Sequence, residues 1–259
     1  MYPQIDLGPV ELNTFGISLA FAFLCSGALA RQRFRELGRP VDWVYEFVLA
    51  AVIGGVVGAH VDWLIQNWEV ASRDPLGSIF SGTGLVFFGG LAGGALAVGL
   101  WARRRGYLGL ELADAVAPAV AIGYAVGRVA CQLSGDGDYG VPSSLPWAMA
   151  YPEGEVPTTV PVHPTPVYET VAMGFVVLLL WRLRDRLVPG TGNLFALYLV
   201  LAGIERFLIE LIRRNQEVVA GLTLAQLISL AIVAAGDGVA RARWPAAAAG
   251  RGVGRAAEA

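Results

Sequence analysis

Leu112–Gly140 reads LADAVAPAVAIGYAVGRVACQLSGDGDYG. Its first part, Leu112–Leu133, matches the run of about 20 apolar residues that a helix needs to cross the hydrocarbon core of a membrane. Yet Arg128 sits inside it. An arginine held in lipid costs from about 2.5 kcal/mol upward, so it faces a cavity or a partner. On a helix, Arg128, Cys131 and Gln132 fall at i, i+3 and i+4 and share one face. The run then breaks into a turn of glycines and aspartates that carries Asp136 and Asp138 and ends at Gly140. An arginine at membrane depth beside an acidic, backbone-flexible turn marks the first place to look for chemistry. The plainer alternative is an arginine that snorkels to the outer interface, helped by a nearby aspartate.

The rest of the chain has the same apolar character. Of 259 residues, 55% are hydrophobic and 15% charged, with a mean hydropathy of +0.56; soluble domains carry about 25% charged residues. This implies one integral membrane domain and gives no basis for a nucleic-acid partner. Apolar runs predict an all-α protein with seven transmembrane segments, at Phe15–Ala30, Glu46–Gln66, Gly82–Trp101, Leu112–Leu133, Tyr168–Trp181, Asn193–Ile212 and Leu222–Ala240. Every basic residue is an arginine. Fourteen of the nineteen follow segments one, three, five and seven, from Arg31–Arg39, Arg103–Arg105, Arg182–Arg186 and Arg241 onward. Positive residues favour the cytoplasmic side, so the N-terminus is expected outside and the C-terminus in the cytoplasm. Residues 1–244 form the membrane domain, with an outer loop at 134–166 whose prolines forbid a regular helix. The Ala/Gly/Arg-rich tail, 245–259, is expected to be disordered. The N-terminus has no basic run, so the first segment is expected to stay as an anchor.

Two cysteines and two histidines offer neither a disulfide framework nor a zinc motif. Connection Asn67–Ser81, with Trp68, Leu76, Ile79 and Phe80, reads as lying along the interface. Glycines recur four apart, as in Gly54/Gly58 and Gly89/Gly93. That spacing lets membrane helices approach closely.

Three further clusters do not belong in lipid. In GIERFLIELIRRN, Arg206, Glu210 and Arg213 follow i, i+4, i+7 spacing and share a stripe. A neutral Arg–Glu pair is the structural reading. Two arginines against one glutamate leave a positive surplus, which with Arg128 suits an anionic headgroup, because guanidinium binds phosphate in a fork. HPTPVYE brings His163, Tyr168 and Glu169 to the point where the outer loop re-enters the membrane; a tyrosine there is otherwise an interfacial anchor. His60 and Asp62 point to different helix faces and form no dyad. The glycine-rich run from Gly82 lacks the P-loop lysine, which excludes that form of nucleotide binding.

Gly16, the Gly82–Gly94 run, Gly127–Gly140, HPTPVYE, GIERFLIELIRR and GLTLAQLISL stand in the order found in the prolipoprotein diacylglyceryl transferase family, which this chain resembles along most of its length. The resemblance implies seven transmembrane helices in a bacterial cytoplasmic membrane and a cavity toward the outer leaflet. It also implies transfer of a diacylglyceryl group from phosphatidylglycerol to the lipobox cysteine of an exported lipoprotein precursor, releasing glycerol phosphate. By it, Arg128 holds the headgroup and Arg206 is a second essential arginine with Glu210 as supporting acid. Asp136 or Asp138 stands at the place of a family glutamate. Arg213, Gly89, Gly90, Gly140, His163, Tyr168 and Glu169 complete the expected substrate-binding set. No metal or organic cofactor is expected.

The chain departs from the family pattern at five places. Phe88 replaces a histidine before the paired glycines, Phe15 a tyrosine, and Cys131 and Ser134 the signature asparagines, while GDGDYG is one residue longer. Either Glu169, His163, Asp136 or Asp138 supplies the base, or the acceptor differs. A lipid-binding protein or small transporter without turnover has the same topology.

Overall fold

The computed structural model describes residues 3–6, 8, 11–73, 77–78 and 86–256. Helices dominate: α1 Thr14–Glu36, α2 Asp42–Gln66, the short α3 Trp68–Ala71, α4 Phe87–Arg104, α5 Leu110–Ser134, α6 Thr165–Leu183, α7 Asn193–Glu210 and α8 Leu224–Ala256. Three antiparallel ribbons accompany them: β1 Gln4–Asp6 with β2 Glu11–Asn13, β3 Met149–Tyr151 with β4 Thr158–Val162, and β5 Glu217–Val219 with β6 Leu222–Thr223. The expected all-α class is right apart from these ribbons.

Among the described residues, five helices are long and apolar enough to cross a membrane: α1, α2, α5, α6 and the Leu224–Ala242 part of α8. The other two expected segments are shorter and more polar. Helix α7 has 18 residues and carries Glu205, Arg206 and Glu210. Helix α4 also has 18 and ends in Arg103 and Arg104. Gly82–Leu85, where the third segment was expected to begin, lie outside the described residues, as do Leu76, Ile79 and Phe80; of Phe87 and Phe88 only the backbone is described. Several boundaries move outward, among them the start of α2, at Asp42 rather than Glu46. Helix α1 runs on through Arg31, Arg33 and Arg35. Helix α6 begins at Thr165, because Pro166 lies in its first turn, where a missing N–H costs nothing. Helix α8 continues to Ala256, through the tail whose composition argues against order.

The described residues fall into two compact units: Phe34–Gly109 is one, and β1, β2, most of α1 and everything from α5 onward form the other. In the first, α2 packs on α4 through the four-residue glycine spacing. A Cβ at Gly58 would sit 2.3 Å from the Gly89 carbonyl oxygen and 2.8 Å from the Gly93 Cα. The close approach also lets Asp62 Oδ2 accept the Gly89 N–H at 2.9 Å, so this acid serves the first turn of α4. His60 instead faces the Ser78 carbonyl at 3.1 Å. Gly58→Ala is expected to force the two helices apart and cost about 1–3 kcal/mol. A thermal midpoint in detergent equal to that of the parent would show that they do not touch there.

In the second unit, α5, α6 and α7 pack around Ala117, Ala121, Ala125, Met173, Val176, Val177, Leu180 and Leu194. Alanines on α5 bring the backbones close, so the polar residues near the end of α5 and the start of α6 meet one another. The Thr170 hydroxyl lies between the Pro166 carbonyl of its own helix, at 2.8 Å, and the Ala125 carbonyl of α5, at 3.2 Å.

Candidate active site

Arg128 projects from the last two turns of α5, and Glu169 from the first turns of α6, where it is fully buried. Asp138 lies in the turn after α5, and Arg213 three residues past the end of α7. These four close a ring of alternating charge. Arg128 pairs through Nη1 with Asp138 Oδ2 and through Nε with Glu169 Oε2. Arg213 pairs through Nη2 with Asp138 Oδ1, and its Nη1 lies 3.3 Å from Glu169 Oε1. Each carboxylate thus gives one oxygen to each guanidinium. A buried charge needs a paired, hydrogen-bonded partner, and here every member has two.

Tyr124 completes the ring's inner wall one turn before Arg128. Its hydroxyl donates to Glu169 Oε2 at 3.2 Å and accepts from Arg128 Nη2 at 3.4 Å. The Arg128 guanidinium also lies 5.0 Å from the Tyr124 ring centre.

Arg206 and Glu210 form a neighbouring pair with Nη1–Oε2 at 2.8 Å. The two atoms are not aligned for a hydrogen bond, so this is a charge contact. The other oxygen of Glu210 accepts from Asn215 Nδ2 at 2.7 Å and Thr223 Oγ1 at 2.8 Å. Arg213 is only 4.0 Å from Glu210 but turns its fork to Asp138 and Glu169. The positive surplus expected from the α7 stripe is therefore neutralised: the acids that meet it come from other elements, which spacing on one helix does not show.

Asp136 Oδ1 accepts the Asp138 N–H at 3.1 Å. Burial pushes its carboxyl above the usual range, and the negative charge of Asp138 adds to this. Burial alone would push Asp138 up as well, but the Arg213 and Arg128 guanidiniums outweigh it and hold that carboxyl below its ordinary value. Cys131, Asp136 and Asp138 bring their ligand atoms within 4.8 Å of one another. Asp138 already serves two guanidiniums, and Arg128 Nη1 donates toward Cys131 Sγ at 3.7 Å, so a metal ion there would compete with two fixed cations.

Gly140 joins the turn to both neighbouring segments. Its N–H donates to the His163 carbonyl at 2.8 Å, and the Val141 N–H to the Ile212 carbonyl at 2.8 Å. A Cβ at position 140 would lie 2.4 Å from that Ile212 oxygen. Gly140→Ala is expected to push the Ile212–Arg213 segment off the turn, cost about 1–3 kcal/mol and weaken the Asp138–Arg213 pair. The thermal midpoint in detergent should fall, and a wild-type value would show that the turn and the Ile212–Arg213 segment do not touch there.

His163 and Tyr168 do come together, with Nδ1 and Oη 3.3 Å apart, and Trp147 Nε1 donates to the same hydroxyl at 2.8 Å. Gly89 and Gly90 belong to the Phe34–Gly109 unit, where they pack on α2. Between α6 and α7 an open groove of about 330 Å³ is lined by Tyr168, Ala172, Leu201, Ile204 and Leu208 together with Glu205. Glu205 is 9% exposed, and its buried Oε1 has no partner among the described residues. Sequence reasoning missed Tyr124 and Glu205. Tyr124 stands four residues before Arg128, on the same helix face, and that spacing could have found it.

Comparison with known proteins identifies the family. The sequence profile described as prolipoprotein diacylglyceryl transferase matches residues 4–240. The chain is 33% identical to the phosphatidylglycerol–prolipoprotein diacylglyceryl transferase of Methylococcus capsulatus, over 82% of this chain and 83% of that one. It is 32% identical to the enzyme of the same name from Methylibium petroleiphilum, over 91% and 95%. A Clostridium tetani relative of that name is 28% identical over 87% and 90%. With the family profile matching residues 4–240 and two relatives above 30% identity over more than four fifths of the chain, the chain belongs to the prolipoprotein diacylglyceryl transferase family.

Proposed function

We propose that the protein transfers the diacylglyceryl group of phosphatidylglycerol to the lipobox cysteine thiol of an exported lipoprotein precursor, releasing glycerol phosphate. The observation that carries this reading is the pair of largely buried arginines, Arg128 and Arg213, held side by side by shared acids in a membrane protein of this family. Two guanidinium forks at one place fit a phosphate diester and its developing charge. The topology that goes with it has seven spans, α4 and α7 being the third and sixth. The N-terminus lies outside and the C-terminus in the cytoplasm of a bacterial cytoplasmic membrane.

In this reaction the thiol proton passes to a carboxylate, for which Asp136 is the choice because its raised pKa suits a base. The sulfur forms a bond to the terminal glyceryl carbon, and the C–O bond to phosphate breaks. Glycerol phosphate leaves with the electron pair, stabilised by Arg128, with Arg206 and Glu210 beside it. Gly140, His163 and Tyr168 shape the entry, Glu169 holds the arginines, and the α6–α7 groove takes an acyl chain. No metal or organic cofactor takes part.

Purified protein, phosphatidylglycerol and a lipobox peptide should yield a thioether-linked diacylglyceryl peptide by mass spectrometry. Its absence, from protein that is folded and lipid-bound, would overturn the reading. Cys131 at the place of a family asparagine favours a second reading, a relative with another acceptor. Release of glycerol phosphate from phosphatidylglycerol without peptide would support that instead.

A further inference from the structure

We infer that the Asp138 carboxylate is an internal stand-in for phosphate, occupying the double fork of Arg128 and Arg213 that a phosphate group would take, and that a bound phosphate displaces it. The inference rests on the reading of the site as one for an anionic headgroup.

Asp138 presents its two oxygens to two different arginines, as two non-bridging phosphate oxygens would. Of the two acids in the ring it is the one that can leave. Glu169 is fully enclosed, fixed on α6 and tied to Tyr124, whereas the Asp138 side chain is 31% exposed and sits on the turn after α5. Its backbone need not move: Thr165 Oγ1 donates to the Asp138 carbonyl, and the Asp138 N–H is held by Asp136 Oδ1. Rotation of one side chain clears the fork.

Charge gives the reason for the exchange. Two arginines and two carboxylates already balance. A phosphate added to the intact ring would leave a surplus negative charge in a largely buried place, and unpaired buried charge is strongly unfavourable. A phosphate that replaces Asp138 keeps the count at two against two and sends the aspartate to solvent. Asp138 thus sets the affinity of the site: it keeps the two guanidiniums aligned and balances their charge beside lipid, and it competes with substrate and helps to expel the phosphate product.

The test uses full-length protein in detergent and two soluble probes, dihexanoyl-phosphatidylglycerol and inorganic phosphate, with calorimetry as the readout. Asp138→Asn removes the competing charge and is expected to bind phosphate-bearing probe about tenfold more tightly, the effect of one charged hydrogen-bonded contact. Asp138→Glu, which restores a competitor, is expected to return affinity toward the parent value. A merely structural role moves affinity the other way. Tightening toward the lipid alone assigns the fork to the headgroup held with its chains; tightening toward inorganic phosphate as well makes the phosphate sufficient. Unchanged or weaker binding by Asp138→Asn, with Asp138→Glu folded and binding as the parent does, overturns the inference and leaves the headgroup reading standing. Absence of binding by the parent and both variants overturns the headgroup reading and the inference with it.

Discussion

Arg128→Gln is expected to lower transfer activity by at least about 10²–10³-fold, the loss that follows removal of one preorganised charge-stabilising donor, and to destabilise the fold as well. The second effect comes from what stays behind. Glu169 has no exposure to solvent, and in the variant only Arg213 at 3.3 Å and Tyr124 at 3.2 Å would face it. Removing one partner of a buried ion pair costs about 3–5 kcal/mol because the other charge remains uncompensated. Stability and catalysis can be separated. The double variant Arg128→Gln/Glu169→Gln removes both charges, so thermal stability should recover much of the loss while activity stays low. A double variant as unstable as the sum of the single ones would show that the two side chains do not interact. Arg128→Lys tests the fork. Lysine keeps the charge but cannot span Asp138 and Glu169 as a planar guanidinium does. Stability near the parent with activity near that of the glutamine variant is the expected result.

Asp114→Ala is expected to cost about 3–5 kcal/mol, nearly as much, without touching the ring. Asp114 lies in the second turn of α5, only 2% exposed. Its carboxylate accepts four backbone N–H groups at the start of α7: Gly190 at 3.0 Å, Gly192 at 2.9 Å, Leu194 at 3.1 Å and Phe195 at 3.0 Å. The first N–H groups of a helix have no partner within it, and α7 has no side-chain cap of its own, since its N-cap is Gly192 in the left-handed region. An acid from another helix does the work, and its negative charge also suits the positive end of the α7 dipole. Asp114→Asn keeps one acceptor oxygen of two and should fall between. Thermal midpoint and limited proteolysis of residues 188–192 are the measurements. Activity should fall with them, because α7 carries Arg206 and Glu210 and leads into Arg213. Parent-like proteolysis of the alanine variant would mean that α7 holds its start by other means.

Much of this protein was legible because a membrane makes strong demands on local sequence. Helical spans need long apolar runs, and those reveal α1, α2, α5, α6 and the apolar part of α8 directly. An arginine in such a run is conspicuous, which singled out Arg128, and glycines four apart announced the α2–α4 contact. The family followed from motifs in order. Helix α7 was harder, because its charges, Glu205, Arg206 and Glu210, dilute the signal of a span.

Which acid neutralises which arginine was not legible. Spacing left Arg213 as surplus positive charge beside the Arg206–Glu210 pair, whereas its fork goes to Asp138 and Glu169, 75 and 44 residues away in the chain. Asp114, passed over as one more residue in an apolar run, proved to hold α7 from 76–81 residues away. Hydropathy and periodicity are properties of one segment, and they determine which segments become helices and which faces are polar. The demand that a buried charge be met is also present in the sequence. The partner that meets it is chosen by distance between elements, at a scale of 3 Å, and only the packing of α5, α6 and α7 together with the turn after α5 decides that.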